Sequence, residues 1–264
     1  MIGVFDSGLG GLSVLAAIAR ELPRADLLYL ADTAHVPYGA RHDEFIRGRV
    51  LAIGRHLVED HGCSLLVVAC NTATAAAVNE LRQQHPGIAV VGVEPGVKPA
   101  AHSSITRRIA VLATEATARS ERLARLIREH AGHVGVDIVA CHGWATRVET
   151  LHLDGPEFMA EVRATVEPLL ERGIDRLVLG CTHYSFLTPQ LAPLAQGRAE
   201  LVDVAAAVSR QVLRLAGNHA CQEGSGQLAL LATARPEHLH VALPALGLNW
   251  LAGRCVGPAQ HATI

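Results

Sequence analysis

Short apolar runs recur along the chain, at Ile2 to Phe5, Leu27 to Leu30, Leu65 to Ala69, Val90 to Val93, Ile109 to Ala113, Val136 to Val139, Leu177 to Leu179 and Leu201 to Val202, with segments of helix length between them. Runs that are apolar at successive rather than alternate positions belong to strands covered on both faces. Their alternation with helical segments predicts an α/β fold with mostly parallel sheets. The first half of the pattern returns in the second. HGCSLLVVACNT (61–72) aligns without a gap on RGIDRLVLGCTH (172–183), which sets Gly62 on Gly173, Leu66 on Leu177 and Cys70 on Cys181, and the same offset sets Val91 on Val202. Two such units, each ending a buried strand in a cysteine, predict two pseudo-symmetric α/β domains facing one another across a cleft, because ligands of open α/β sheets bind outside the carboxyl ends of the strands. The boundary is expected in the Pro/Gly-rich EPGVKPAAHSS (94–104). That gives a first domain of 1–97 plus 207–264, with final helices returning over it from about Ala207, and a second domain of 98–206.

Composition narrows the chemistry. With 264 residues, half of them hydrophobic, the chain can bury a large core without staples. A formal charge of -2 and 3% aromatic residues provide neither a basic stripe for phosphates nor a stacking platform for bases, so no nucleic-acid partner is expected. The N-terminus lacks a charged region followed by an apolar one, and no apolar stretch is long enough to span a bilayer, so the chain reads as cytoplasmic. In a reducing compartment the six cysteines (63, 70, 141, 181, 221 and 255) imply no disulfide framework, and none are paired as C-x-x-C for structural zinc. The only lysine is Lys98. A pyridoxal-phosphate enzyme needs a lysine for its Schiff base, so amino-acid chemistry here is expected to run without that cofactor.

Three segments carry candidate chemistry. VFDSGLGGLSVL (4–15) sets Asp6 and Ser7 directly after a strand, then glycines, then an apolar helix start, a natural seat for a carboxylate on backbone N–H groups. Gly8, Gly10 and Gly11 do not complete the dinucleotide pattern G-x-G-x-x-G, because Ser13 holds its last position. VVACNTATA (67–75) ends a strand in Cys70, after which Asn71 and Thr72 can cap a helix and face a ligand. LVLGCTHYSFL (177–187) does the same with Cys181, Thr182 and His183. A cysteine after a buried strand is ordinarily a small core residue. Two at equivalent points, each at an expected helix N-terminus that favours thiolate and one beside a histidine, read instead as a reactive pair. Cys63, Cys141, Cys221 and Cys255 read as structural, and of the 15 histidines only His183 stands in a motif, the others (35, 42, 56, 61, 85, 102 and most of the rest) reading as surface residues.

FDSGLGGLSVL, ADTAHVPYG (31–39), VACNTATA, GVEPG (92–96) and LGCTHY, in this order over most of the chain, resemble the signature segments of the glutamate racemases within the aspartate/glutamate racemase superfamily. The resemblance implies cofactor-free interconversion of L- and D-glutamate, the latter for bacterial peptidoglycan, in a homodimeric enzyme. It implies Cys70 and Cys181 as the acid/base pair, Asp6 and His183 as their assistants, and Ser7, Tyr38, Gly39, Asn71, Thr72 and Thr182 as substrate contacts. By the same resemblance Glu149 falls beside the second thiol, and Thr114 and Thr117 in ATEATARSERL (113–123) contact substrate, although a helix cap explains Thr117 as well. His142 and Ser185 stand where the family usually has proline, and Leu123 where it has tyrosine. Two alternatives stay open: a related racemase acting on aspartate or another amino acid, and a zinc site formed by Cys70, Cys181 and His183.

Overall fold

The computed structural model of the chain describes residues 1–222 and 224–264, without the side chains of 218–222. Its strands are β1 (Ile2–Asp6), β2 (Leu27–Ala31), β3 (Leu65–Val68), β4 (Ala89–Gly92), β5 (Arg108–Ala113), β6 (Gly135–Ala140), β7 (Arg176–Leu179), β8 (Glu200–Val202), β9 (Leu228–Ala232) and β10 (Gln260–His261). They form a six-stranded sheet in the order β10-β9-β2-β1-β3-β4 and a four-stranded sheet in the order β6-β5-β7-β8. Every pairing is parallel.

The continuous apolar runs explain both sheets. In the first, Ile2, Val4, Leu27, Tyr29, Leu65 and Val67 point to one core and Phe5, Leu28, Leu30, Leu66 and Val68 to another. In the second, Ala110, Leu112, Leu177 and Leu179 face one core while Ile109, Val111, Ala113 and Val178 face another. These inner strands are thus apolar on both faces because helices cover both. The strands β2-β1-β3-β4 and β6-β5-β7-β8 have the same order relative to the chain, so the repeat seen in the sequence is a repeat of topology. In that order the winding reverses between β1 and β3 in one lobe and between β5 and β7 in the other, and the crevice at the carboxyl ends of such strand pairs is where α/β proteins bind ligands.

The C-terminal region departs from the expectation of helices alone. A helix over Ala205–Gln222, broken at Gly217 (φ 67°), is followed by β9, which joins the first sheet beside β2, and by the short β10. LALLA has no β-branched residue and reads as helix in isolation. It is a strand because its register against Leu27 to Ala31 continues an existing sheet. Helix Glu237–Ala245 does return to the first lobe's core, through Leu239, Ala242 and Leu243. The side chain of Cys221 lies outside the described residues. No helix among the described residues is long and apolar enough to cross a membrane.

Candidate active site

Asp6 ends β1, Cys70 follows β3, Thr114 follows β5 and Cys181 follows β7, so the two switch points bring the sequence motifs together. Cys70 (φ -138°, ψ 122°) and Cys181 (φ -141°, ψ 135°) have nearly the same extended backbone, and each is 7% exposed. The elements after them differ. Cys70 caps an α-helix, Asn71–Gln84, whereas Cys181 heads a 3-10 turn, Thr182–Leu187, before the helix Thr188–Ala195. The expectation of an α-helix N-terminus at both thiols therefore holds only at Cys70. Even there it does not set the charge state. Burial first and the nearby Asp6 second push the Cys70 thiol far up, and the Ala73 N–H at the helix start only partly offsets them. This environment favours the protonated thiol at Cys70.

Each thiol is backed by a polar group and then a carboxylate. Cys70 Sγ lies 4.0 Å from Ser7 Oγ, whose hydroxyl donates to Asp6 Oδ1 at 2.9 Å. Cys181 Sγ lies 3.5 Å from His183 Nδ1, and His183 Nε2 lies 2.5 Å from Glu149 Oε1. Burial alone would strip His183 of its proton, but the Cys181 sulfur and the Glu149 carboxylate outweigh burial and hold the imidazole well above its ordinary value. Asp6 is wholly buried, and burial raises its carboxyl above the usual range against the pull of His183 and of hydrogen bonds from Gly8 N–H, Ser7 and Thr182. Asp6 also spans the cleft: its Oδ2 accepts from Thr182 Oγ1 at 2.9 Å. It is not confined to the thiol of its own lobe.

The glycine loop turns out to seat the protein's own carboxylates. Gly8 N–H donates to Asp6 Oδ1 at 3.0 Å and Leu9 N–H to Glu149 Oε1 at 2.5 Å. Its glycines are space requirements: a Cβ on Gly8 would run into Glu149 Oε1, and one on Gly10 into His183 Nδ1. The Tyr29 hydroxyl fixes the same loop by donating to Gly8 O at 2.5 Å.

The remaining candidates divide into committed and uncommitted groups. The Thr72, Thr114 and Thr117 hydroxyls lie within 3.1 to 3.2 Å of one another and bridge the lobes, and Thr114 also caps its helix by accepting from Thr117 N–H. The Tyr38 phenol donates to Asp32 Oδ2 at 2.5 Å, and Gly39 approaches Thr114 so closely that a Cβ would sit 2.9 Å from Thr114 Cβ. Asn71 is 4% exposed and neither its Oδ1 nor its Nδ2 has a partner among the described residues. A buried amide without partners is costly unless something else completes it. Beside this cluster a cavity of about 530 Å³ opens between the lobes, bordered by Arg41, His42, Asp43 and Thr72 on one side and by Ala116 and Arg119 to Arg122 on the other.

Sequence reasoning missed several groups. Asp32 is fully buried and accepts from Tyr38, from Arg49 Nε and Nη2 (both 2.9 Å) and from Thr233 at 2.8 Å. It lies inside the ADTAHVPYG segment with Tyr38, but Arg49 and Thr233 come from outside that segment. His238 Nε2 donates to Glu149 O at 2.8 Å, and His85 is buried with Nε2 unpartnered, so neither fits the reading of histidines outside His183 as surface residues. Cys63 and Cys141 are buried, and burial pushes their thiols up to about 11 and about 12. Lys98 is exposed on the helix Val97–Ser103. No group of three or more His, Cys, Asp or Glu side chains among the described residues is arranged to hold a metal ion.

Comparison with known proteins bears on the family and the fold. Residues 2–212 match the family model for Asp/Glu/Hydantoin racemase. Glutamate racemase of Pseudomonas aeruginosa is 46% identical over 248 residues, 93% of either chain. A glutamate racemase isoform of Bacillus anthracis superposes with a TM-score of 0.86 at 27% identity, covering 100% of this chain and 97% of that one. The Escherichia coli enzyme, solved with L-glutamate and the activator UDP-MurNAc-ala, superposes with a TM-score of 0.84 at 29% identity, covering 100% and 98%. The chain belongs to the Asp/Glu/Hydantoin racemase family and, within it, stands with the glutamate racemases.

Proposed function

We propose that the protein interconverts L- and D-glutamate without a cofactor, using Cys70 and Cys181 as the two bases, and that it supplies D-glutamate for peptidoglycan. The observation that carries this reading is the pair of buried thiols in matching backbone conformations at the two switch points, each backed by its own carboxylate. In the L to D direction the Cys181 thiolate takes the α-proton, and the electron pair of the broken C–H bond delocalises into the substrate carboxylate. The Cys70 thiol delivers its proton to the opposite face, leaving Cys70 as thiolate and Cys181 as thiol. The resting charges favour this direction of use, since Cys70 holds its proton and a histidinium lies beside Cys181. The carbanion needs donors in a dry site. The unpartnered Asn71 amide and the threonine hydroxyls of 72, 114, 117 and 182 suit that role, with Ser7 and the Tyr38 to Gly39 backbone completing the pocket.

The same reading takes the domains as 1–97 plus 207–264 and 98–206, which sheet membership supports, and the working form as a cytoplasmic homodimer. The test is circular dichroism on L-glutamate and L-aspartate side by side, after dialysis against chelator and with no pyridoxal phosphate. Glutamate is expected to lose its optical signal while aspartate does not. Loss with aspartate alone would assign the chain to another member of the family, and dependence on added pyridoxal phosphate or metal would overturn the mechanism.

A further inference from the structure

The carboxylate behind Cys181 is held from the opposite lobe. Glu149 is the last residue of a six-residue helix, Trp144–Glu149, and helix-terminal carbonyls have no partner within their own helix. The Glu149 carbonyl finds one across the cleft in His238 Nε2 at 2.8 Å. A carbonyl oxygen only accepts, so His238 Nε2 carries the hydrogen. The chain beyond Glu149 turns through Leu151 in the left-handed region (φ 58°), and Leu151 packs on the first lobe's core. His238 is itself fixed at the start of the helix Glu237–Ala245, its N–H donating to Arg235 O at 3.0 Å, with Arg235 also at positive φ (47°). The other end of Glu149 is gripped by the same lobe, Leu9 N–H donating to Oε1 at 2.5 Å, and the free space around that carboxylate is so small that Gly8 cannot carry a Cβ. Oε1 is also the atom that meets His183 Nε2.

We infer that His238 is a positioning residue for the second base: by holding the Glu149 backbone it keeps Glu149 Oε1 on His183 Nε2, and so keeps the imidazole placed against Cys181. The groups facing His183 are Cys181, Glu149 and Asp6, and only Glu149 is steered by His238. The consequence is that the first lobe, which carries Cys70, also tunes the base on the opposite wall, and does so only while the lobes are together. This inference rests on the two-thiol reading for its kinetic consequence but not for its effect on His183.

The experiment compares His238→Leu, which removes the donor at similar size, with His238→Gln, whose amide can still donate. His238→Leu is expected to lower kcat from L-glutamate about three- to tenfold, the range that one neutral hydrogen bond accounts for, and to lower kcat from D-glutamate less. In the same protein, nuclear magnetic resonance of labelled histidine should show the His183 titration moved downward, and His238→Gln should restore both. The inference is overturned if His183 titrates as in the wild type in His238→Leu, or if the Gln and Leu variants lose activity equally. If the wild type does not racemise glutamate while His183 still responds to His238→Leu, the positioning role stands and the functional reading fails.

Discussion

The two walls of the cleft share a backbone and differ in their protons. On the first wall the order is thiol, hydroxyl, carboxylate (Cys70, Ser7, Asp6); on the second it is thiol, imidazole, carboxylate (Cys181, His183, Glu149). A hydroxyl passes a proton without holding a charge, whereas an imidazole can keep one. The first wall therefore favours a protonated thiol, pushed up by burial and by Asp6, and the second favours a charged imidazole. A two-base enzyme needs one thiol and one thiolate at any moment. In the proposed mechanism the different helpers, a hydroxyl on one wall and an imidazole on the other, are what set the two thiols apart. The two halves of the repeat thus share topology and strand-end geometry and differ in the residues one step behind the thiols.

The most severe way to break the comparison is to remove one wall's base. Cys70→Ala and Cys181→Ala should each lower racemisation at least about a hundredfold, the lower end of what a positioned acid or base contributes, with the thermal unfolding midpoint little changed. Cys63→Ala and Cys255→Ala should remain active. Equal residual activity in all four variants would remove the thiols from the chemistry.

Removing the helpers sharpens it. His183→Asn should depress kcat from L-glutamate by roughly tenfold or more, and Asp6→Asn should act more on the D direction but less selectively, since Asp6 also holds Thr182 across the cleft. The enantiomers have equal free energy in water, so kcat/KM stays equal in the two directions and the asymmetry must appear in kcat and KM together. The pH dependence has the same origin. His183 is held above its unfolded value, so its charge is fully present below about pH 6.5 and its contribution is lost as pH rises through the folded value. The L-direction kcat should fall on that alkaline side, and in His183→Asn that limb should vanish. A profile unchanged by the substitution would contradict the assignment.

The smallest effect on rate is expected beneath the Tyr38 to Gly39 loop. Hydrogen bonds from Arg49, Tyr38 and Thr233 hold Asp32 below the usual carboxylate range in spite of burial. Such a group contributes stability above its unfolded value of about 3.9, lost as pH falls through the lower folded value. Asp32→Asn leaves Arg49 without its buried partner and should cost about 3 kcal/mol in denaturant unfolding at neutral pH, with the cost shrinking in acid, while raising KM more than it lowers kcat. A cost independent of pH would show that the charge is not what matters.

Most of the fold was legible because eight strands announce themselves as apolar runs and two of them repeat with their cysteine. The sequence also brought together Asp6, Ser7, Cys70, Asn71, Thr72, Cys181, Thr182 and His183, because each sits within a few residues of a strand end. The features that escaped all depend on a partner far along the chain. β9 is a strand only by pairing with β2, and Asp32 is completed by Arg49 and Thr233, which lie outside its segment. The glycine loop read as a seat for a ligand carboxylate because nothing local shows that Glu149, 140 residues away, fills it. His238 has no motif at all, since its role is a single bond to a backbone carbonyl.

The central claim is that two different bases serve the two faces, and the fate of the α-hydrogen in deuterated water tests it most directly. Starting from either enantiomer of glutamate, early product should carry solvent deuterium while the remaining substrate keeps its own proton, because the thiol that delivers has exchanged with solvent and the one that abstracts is not the one that delivers. If early product instead retains much of the substrate's original proton, a single base is moving it between faces, and the account of one thiol on each wall is wrong.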